Sequence, residues 1–102
     1  MIALILCDCG GAELMGRRKL LGAGMKDYLE PVAYKGKEAG LRFLDNFPKN
    51  DKEVILAKEH LKNFSSYAIV FGYKEGKIRW TDVADGSPIS ALDVGVIVDN
   101  YA

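Results

Sequence analysis

Residues 67–83 read YAIVFGYKEGKIRWTDV, and this stretch decides the fold class. Tyr67 to Tyr73 and Lys77 to Val83 are rich in β-branched and aromatic residues. Lys74-Glu75-Gly76 between them supplies a glycine free to take positive φ. The stretch predicts an antiparallel hairpin reversing around those three residues. Its alternation places Tyr67, Ile69, Phe71 and Tyr73 on one face, together with Ile78 and Trp80 of the second strand.

Upstream, residues 2–7 (IALILC) are apolar at every position. A strand facing water on one side would alternate, so this run predicts a central strand covered on both faces. Asp8-Cys9-Gly10-Gly11 ends it, and Ala12 to Leu21 can form a short helix despite Gly16. Residues 25–34 show no clean period and are read as irregular.

The period becomes helical from Gly36, where Ala39, Gly40, Phe43, Leu44 and Phe47 recur at spacings of three and four until Pro48 stops the run. Asn50 and Glu53 then stand in the relation of a capping box, so a second helix should begin there. Its stripe is Val54, Ala57, Leu61 and Phe64, and Phe43, Phe47, Val54, Leu61 and Phe64 are expected to be buried together under the sheet. For the last segment, Ser87-Pro88 is a helix-start signal, whereas Val94 to Val98 has strand propensity. Helix is the expectation. Its apolar residues spread nearly all the way round, so such a helix needs cover beyond a single stripe. The whole chain, 1–102, thus reads as a single α+β domain. Its sheet has three or four strands, including the hairpin of residues 67–83, and carries two to four packed helices.

Composition sets the outer bounds. Apolar residues are 49% and charged residues 27% of 102, a globular mix and not a disordered one. Cys7 and Cys9 are too close along an extended chain to bridge each other easily. The apolar start has no basic flank and is too short for a leader or a membrane span. A reducing cytoplasmic setting is the expectation, with no membrane partner. Net charge is zero, but all 14 Lys and Arg lie in residues 1–79 against 10 acids, while residues 80–102 carry Asp82, Asp85, Asp93 and Asp99 and no base.

Chemistry has few places to reside. Cys9, with Asp8, would follow the end of a buried strand, where backbone amides and a helix dipole can stabilise a thiolate. The glycine spacing of phosphate loops and dinucleotide fingerprints is missing. Zinc would need more ligands than Cys7, Cys9 and His60 supply, so neither metal nor cofactor is expected. His60 lies beside the apolar stripe of its helix and has no partner that spacing can name. Arg17, Arg18 and Lys19, with Trp80 on the aromatic hairpin, form the basis of a nucleic-acid reading. Tyr67-Ala68-Ile69-Val70 resembles part of the central strand motif of RNA-recognition domains, without the preceding basic residue and glycine. The competing reading makes that aromatic face the core side of the sheet. Ile55 and Leu56 point away from the core stripe, and with the apolar last segment they suggest a surface for a protein partner or a second copy of the chain.

The leading expectation is therefore a non-catalytic interaction protein. The alternatives are a small cysteine-dependent enzyme or redox protein using Cys9, and a binder of RNA or single-stranded DNA.

Overall fold

A computed structural model of the chain describes residues 1–6, 33–64, 67–83 and 88–101, with side chains at 33–35 and 88–91 left outside the description. Four strands, β1 (Ile2–Leu6), β2 (Ala33–Lys35), β3 (Ala68–Lys74) and β4 (Lys77–Asp82), form one sheet in the order β2-β1-β3-β4. Among the described residues three helices accompany it: α1 (Lys37–Leu44), α2 (Lys52–Asn63) and α3 (Pro88–Tyr101). The α+β expectation holds.

β1 is central, parallel to β2 and antiparallel to β3, and all five of its residues are buried. Strand alternation sorts the side chains into two cores. Ala3, Ile5, Ile69, Phe71 and Ile78 face α1 and α2, which contribute Phe43, Leu44, Val54, Ala57 and Leu61. Ile2, Leu4, Leu6, Ala68 and Val70 face the other way, toward Val94 and Ile97 of α3. The sheet is thus the middle layer of three, which explains why β1 carries no polar position.

Close approach of helix to sheet depends on two glycines. A Cβ on Gly40 of α1 would meet Ile5 Cγ2 at 2.6 Å, and one on Gly72 of β3 would meet Ile97 and Tyr101 of α3 at 2.8 Å. Either contact is too short for a real Cβ, so glycine at these positions lets the layers close.

The hairpin forms as its alternation requires, with a tighter reversal than three residues. Lys74 still pairs with Lys77, and the turn is Glu75-Gly76 alone, both with positive φ (51° and 80°). That is the handedness whose twist matches the flanking strands. Residues 88–101 are helical. At α2 the capping residue is Asp51, not Asn50; its carboxylate accepts from the Glu53 N–H at 2.9 Å. Asp51 takes the extended backbone of an N-cap (φ −69°, ψ 129°) and can reach the amide two residues on, which Asn50 would have had to do from one residue further away.

α1 ends at Leu44, so Phe47 lies beyond it and packs against the core from the following turn, its ring 4.9 Å from that of Phe71 and 5.1 Å from that of Phe43. Asn46 Nδ2 donates to the Phe43 carbonyl at 3.0 Å, satisfying one acceptor that the helix end leaves open. α1 and α2 are also tied by Lys58 Nζ, which donates to Asp45 Oδ1 at 2.7 Å. That hydrogen bond and the Lys58 charge hold the Asp45 carboxyl below its ordinary range.

Phe64 corrects the expected core. It is 52% exposed, because α2 stops at Asn63 and Phe64 has left helical phase (φ −117°, ψ 133°). Replacing Phe71 by Ala should therefore cost on the order of 3 to 5 kcal/mol, and Phe64 by Ala about 1 kcal/mol or less. Urea denaturation of both variants checks this; similar losses would contradict the placement of Phe64.

Candidate functional site

The described side chains that combine polarity, aromatic character and exposure gather where the end of α2 meets β4. Residues 56, 60 and 64 are four apart, so Leu56, His60 and Phe64 follow one another along α2 and its cap. This stripe is different from the core stripe of Val54, Ala57 and Leu61. Opposite it stands Trp80, which pairs across the sheet with Phe71. Leu56, Glu59, His60, Asn63, Phe64 and Trp80 line a shallow groove of about 290 Å³.

His60 organises this groove. Its ring stacks on Phe64 with centroids 4.4 Å apart and leans on Trp80 at 5.3 Å. Its Nε2 forms a short contact with Asp82 Oδ2 on β4. The other carboxylate oxygen, Asp82 Oδ1, accepts from the Ala68 N–H at 3.1 Å. One carboxylate thus joins α2 to the start of β3 and the end of β4. Both partners are mostly buried, with about a fifth of each side chain exposed. The partner that spacing could not name for His60 is Asp82, which lies 22 positions away and is brought near only by the folded sheet.

A histidine oriented by a carboxylate is the base half of many nucleophilic sites. Here the Nε2 atom is engaged by Asp82 and the ring is packed against two aromatic side chains, so the arrangement serves as a strut between α2 and the sheet. The indole Nε1 of Trp80 is buried and has no hydrogen-bond acceptor among the described residues. Among those residues no three His, Cys, Asp or Glu side chains converge as metal ligands, and no helix is long and apolar enough to cross a membrane.

Of the sequence-derived candidates, Cys9, Asp8, Arg17 and Arg18 lie outside the described residues. Ile55 and Leu56 are exposed as expected. Trp80 joins Leu56 at the groove, while Ile55 is not among its lining residues. The aromatic face of the hairpin is the core side: Tyr67, Ile69 and Phe71 are buried beneath the helices and offer no open platform for stacking bases. Phe64 and His60 were not read as surface partners of Trp80, although the spacing of four from Leu56 to His60 and from His60 to Phe64 was visible.

A second exposed apolar strip lies on the opposite layer. α3 buries Val94 and Ile97 and leaves Leu92 73% and Val96 40% exposed. Val96 borders a groove of about 380 Å³ with Lys74, Lys77, Arg79, Asn100 and Tyr101. Arg79 reaches Asp93 of α3 at 3.5 Å across an exposed gap, a contact worth little in water.

No known protein family, curated protein or solved structure matches the chain.

Removing the Asp82 carboxylate should loosen the groove, because it leaves the Ala68 amide and the imidazole without their acceptor. Asp82→Ala is expected to cost about 1 to 3 kcal/mol and to release His60 from its packed position. Chemical denaturation with NMR of the His60 ring protons checks both; an unchanged ring environment would contradict the strut.

Proposed function

We propose that this protein is a non-catalytic interaction protein that holds a protein partner through the apolar surface around Trp80. The observation that carries the reading is Phe64. A large aromatic ring sits half in water, stacked on a histidine that a mostly buried carboxylate holds in place, in one groove with exposed Leu56. An exposed phenylalanine gains little for a lone chain, whereas aromatic anchors beside a pre-formed groove supply much of the binding energy at protein interfaces. The fixed His60–Asp82 strut lowers the ordering cost of binding, since these side chains are already in place.

The cysteine-dependent alternative draws no support from the described residues. The nucleic-acid alternative loses its stacking surface to the core, and among the described residues the groove around Trp80 contains no Lys or Arg to neutralise phosphate.

Photo-crosslinking amino acids placed singly at positions 56 and 64, with exposed Lys49 as the control position, test the reading in cells. Discrete protein adducts from 56 and 64 that are weak or missing from 49 are expected, and their loss when Trp80 is changed to Ala would support the groove. Absence of adducts at both positions would contradict it.

A further inference from the structure

Strand alternation sends Lys74 of β3, and Lys77 and Arg79 of β4, to the α3 side of the sheet. Gly72 and Lys74 follow Ala68 and Val70 on that face, and the register sets Lys77 opposite Lys74 and Arg79 opposite Gly72. Directly opposed side chains start about 5 Å apart, and diagonal ones roughly 7 to 8 Å. Three cations therefore leave one face of the hairpin end within reach of a single small anion. All three residues are exposed. They line the groove of about 380 Å³ together with Glu75, Val96, Asn100 and Tyr101.

Like charges directly opposite each other destabilise a hairpin. Among the described residues Lys74 and Lys77 form no ion pair that would offset this, and Asp93 meets Arg79 alone, at 3.5 Å. Two structural duties do not account for the cluster. Cations can offset the negative end of a helix dipole, but the last turn of α3 has other donors. Asn100 Nδ2 donates to the Val96 carbonyl at 2.8 Å, and the Met1 amine donates to that of Tyr101 at 2.8 Å. Lysine on an edge strand discourages pairing with other chains, which suits Lys77 and Arg79 of β4 but leaves Lys74 of β3 unexplained.

The remaining wall gives the ligand its shape. Gly72 puts no side chain beside Arg79, and Tyr101 takes that space, its Cβ and Cγ 2.8 Å from where a Cβ on Gly72 would stand. Tyr101 is half-buried and Val96 exposed, so an aromatic ring and a branched aliphatic side chain border the three cations. Hydrogen bonds from lysine and arginine to an ionised oxygen are the strong ones, and an apolar body attached to the anion would cover Val96 and Tyr101. A compact group of three cations suits one phosphate, and not the length of a nucleic-acid backbone.

We infer that the groove between the hairpin end and the last turn of α3 binds a small phosphate monoester, its phosphate held by Lys74, Lys77 and Arg79 and its apolar part laid against Tyr101 and Val96. The site lies on the opposite face of the sheet from the Trp80 groove, so it stands or falls separately from the protein-partner reading.

Titration of the unaltered protein with phenyl phosphate and with inorganic phosphate, followed by amide NMR, tests the site. Saturable shifts confined to residues 74–79 and 96–101 are expected, with phenyl phosphate bound at least several-fold more tightly. Changing Lys74→Gln and Lys77→Gln together should weaken binding roughly ten-fold, while the same changes at exposed Lys49 and Lys52 should leave it unaltered. Equal weakening by both pairs, equal affinity for the two probes, or no saturation by about 20 mM would overturn the site. Co-sedimentation with phosphatidylcholine vesicles that contain phosphatidic acid, against phosphatidylcholine alone, distinguishes the source of the phosphate. Phenyl phosphate binding with vesicle capture that the Lys74 and Lys77 changes abolish assigns a lipid headgroup; phenyl phosphate binding without capture assigns a soluble ester.

Discussion

Antiparallel pairing of β1 with β3, from Ile2 opposite Gly72 to Leu6 opposite Ala68, joins two strand segments that have no exposed position between them. Apolar side chains leave this ribbon on both faces, and each face must be covered for the ribbon to exist in water. α1 and α2 cover one side, and α3 covers the other. Gly40 and Gly72 follow from the same demand, since both helix layers approach the two central strands too closely for a Cβ. The three-layer arrangement is therefore a consequence of two strands that cannot tolerate solvent.

Helices that cover two central strands must extend past them, and on the β4 side they do. α2 ends over β4 with Phe64 and Leu56 at its margin, and α3 overhangs the same strand with Val96. Three of the exposed apolar residues, Leu56, Phe64 and Val96, are thus not scattered. They border the outer strand on both faces, while the His60–Asp82 contact fixes the end of α2 against that strand. Fold and proposed interaction are linked at this point: the same helices that seal the core present apolar margins beside β4.

Much of the fold was legible because the strongest patterns were local. The unbroken apolar run of β1, the alternation of β3 and β4 and the helical spacing in α1 and α2 each depend on neighbours a few residues apart. Misreadings occurred at ends and at β2 (Ala33–Lys35), which begins inside a stretch read as irregular because three residues are too few to show a period. The α2 cap moved from Asn50 to Asp51, and Phe64 fell outside the helix because a period does not say where it stops. The site was less legible than the fold. Leu56 and Trp80 were recognisable singly, but the groove depends on Asp82 reaching across 22 residues to His60, a contact set by sheet register and not by spacing. The Ser87-Pro88 start signal prevailed over the strand propensity of residues 94–98, since the segment had a buried sheet face to cover and two of its valines could remain outside the core.

Residue-resolved amide hydrogen exchange addresses the central claim, a sheet closed by helices on both faces. Amides of β1, of residues 68–72 of β3 and of residues 79, 81 and 83 should be the most strongly protected of the described residues. Exchange of the β1 and β3 amides as rapid as that at the ends of α1 and α2 would contradict the account.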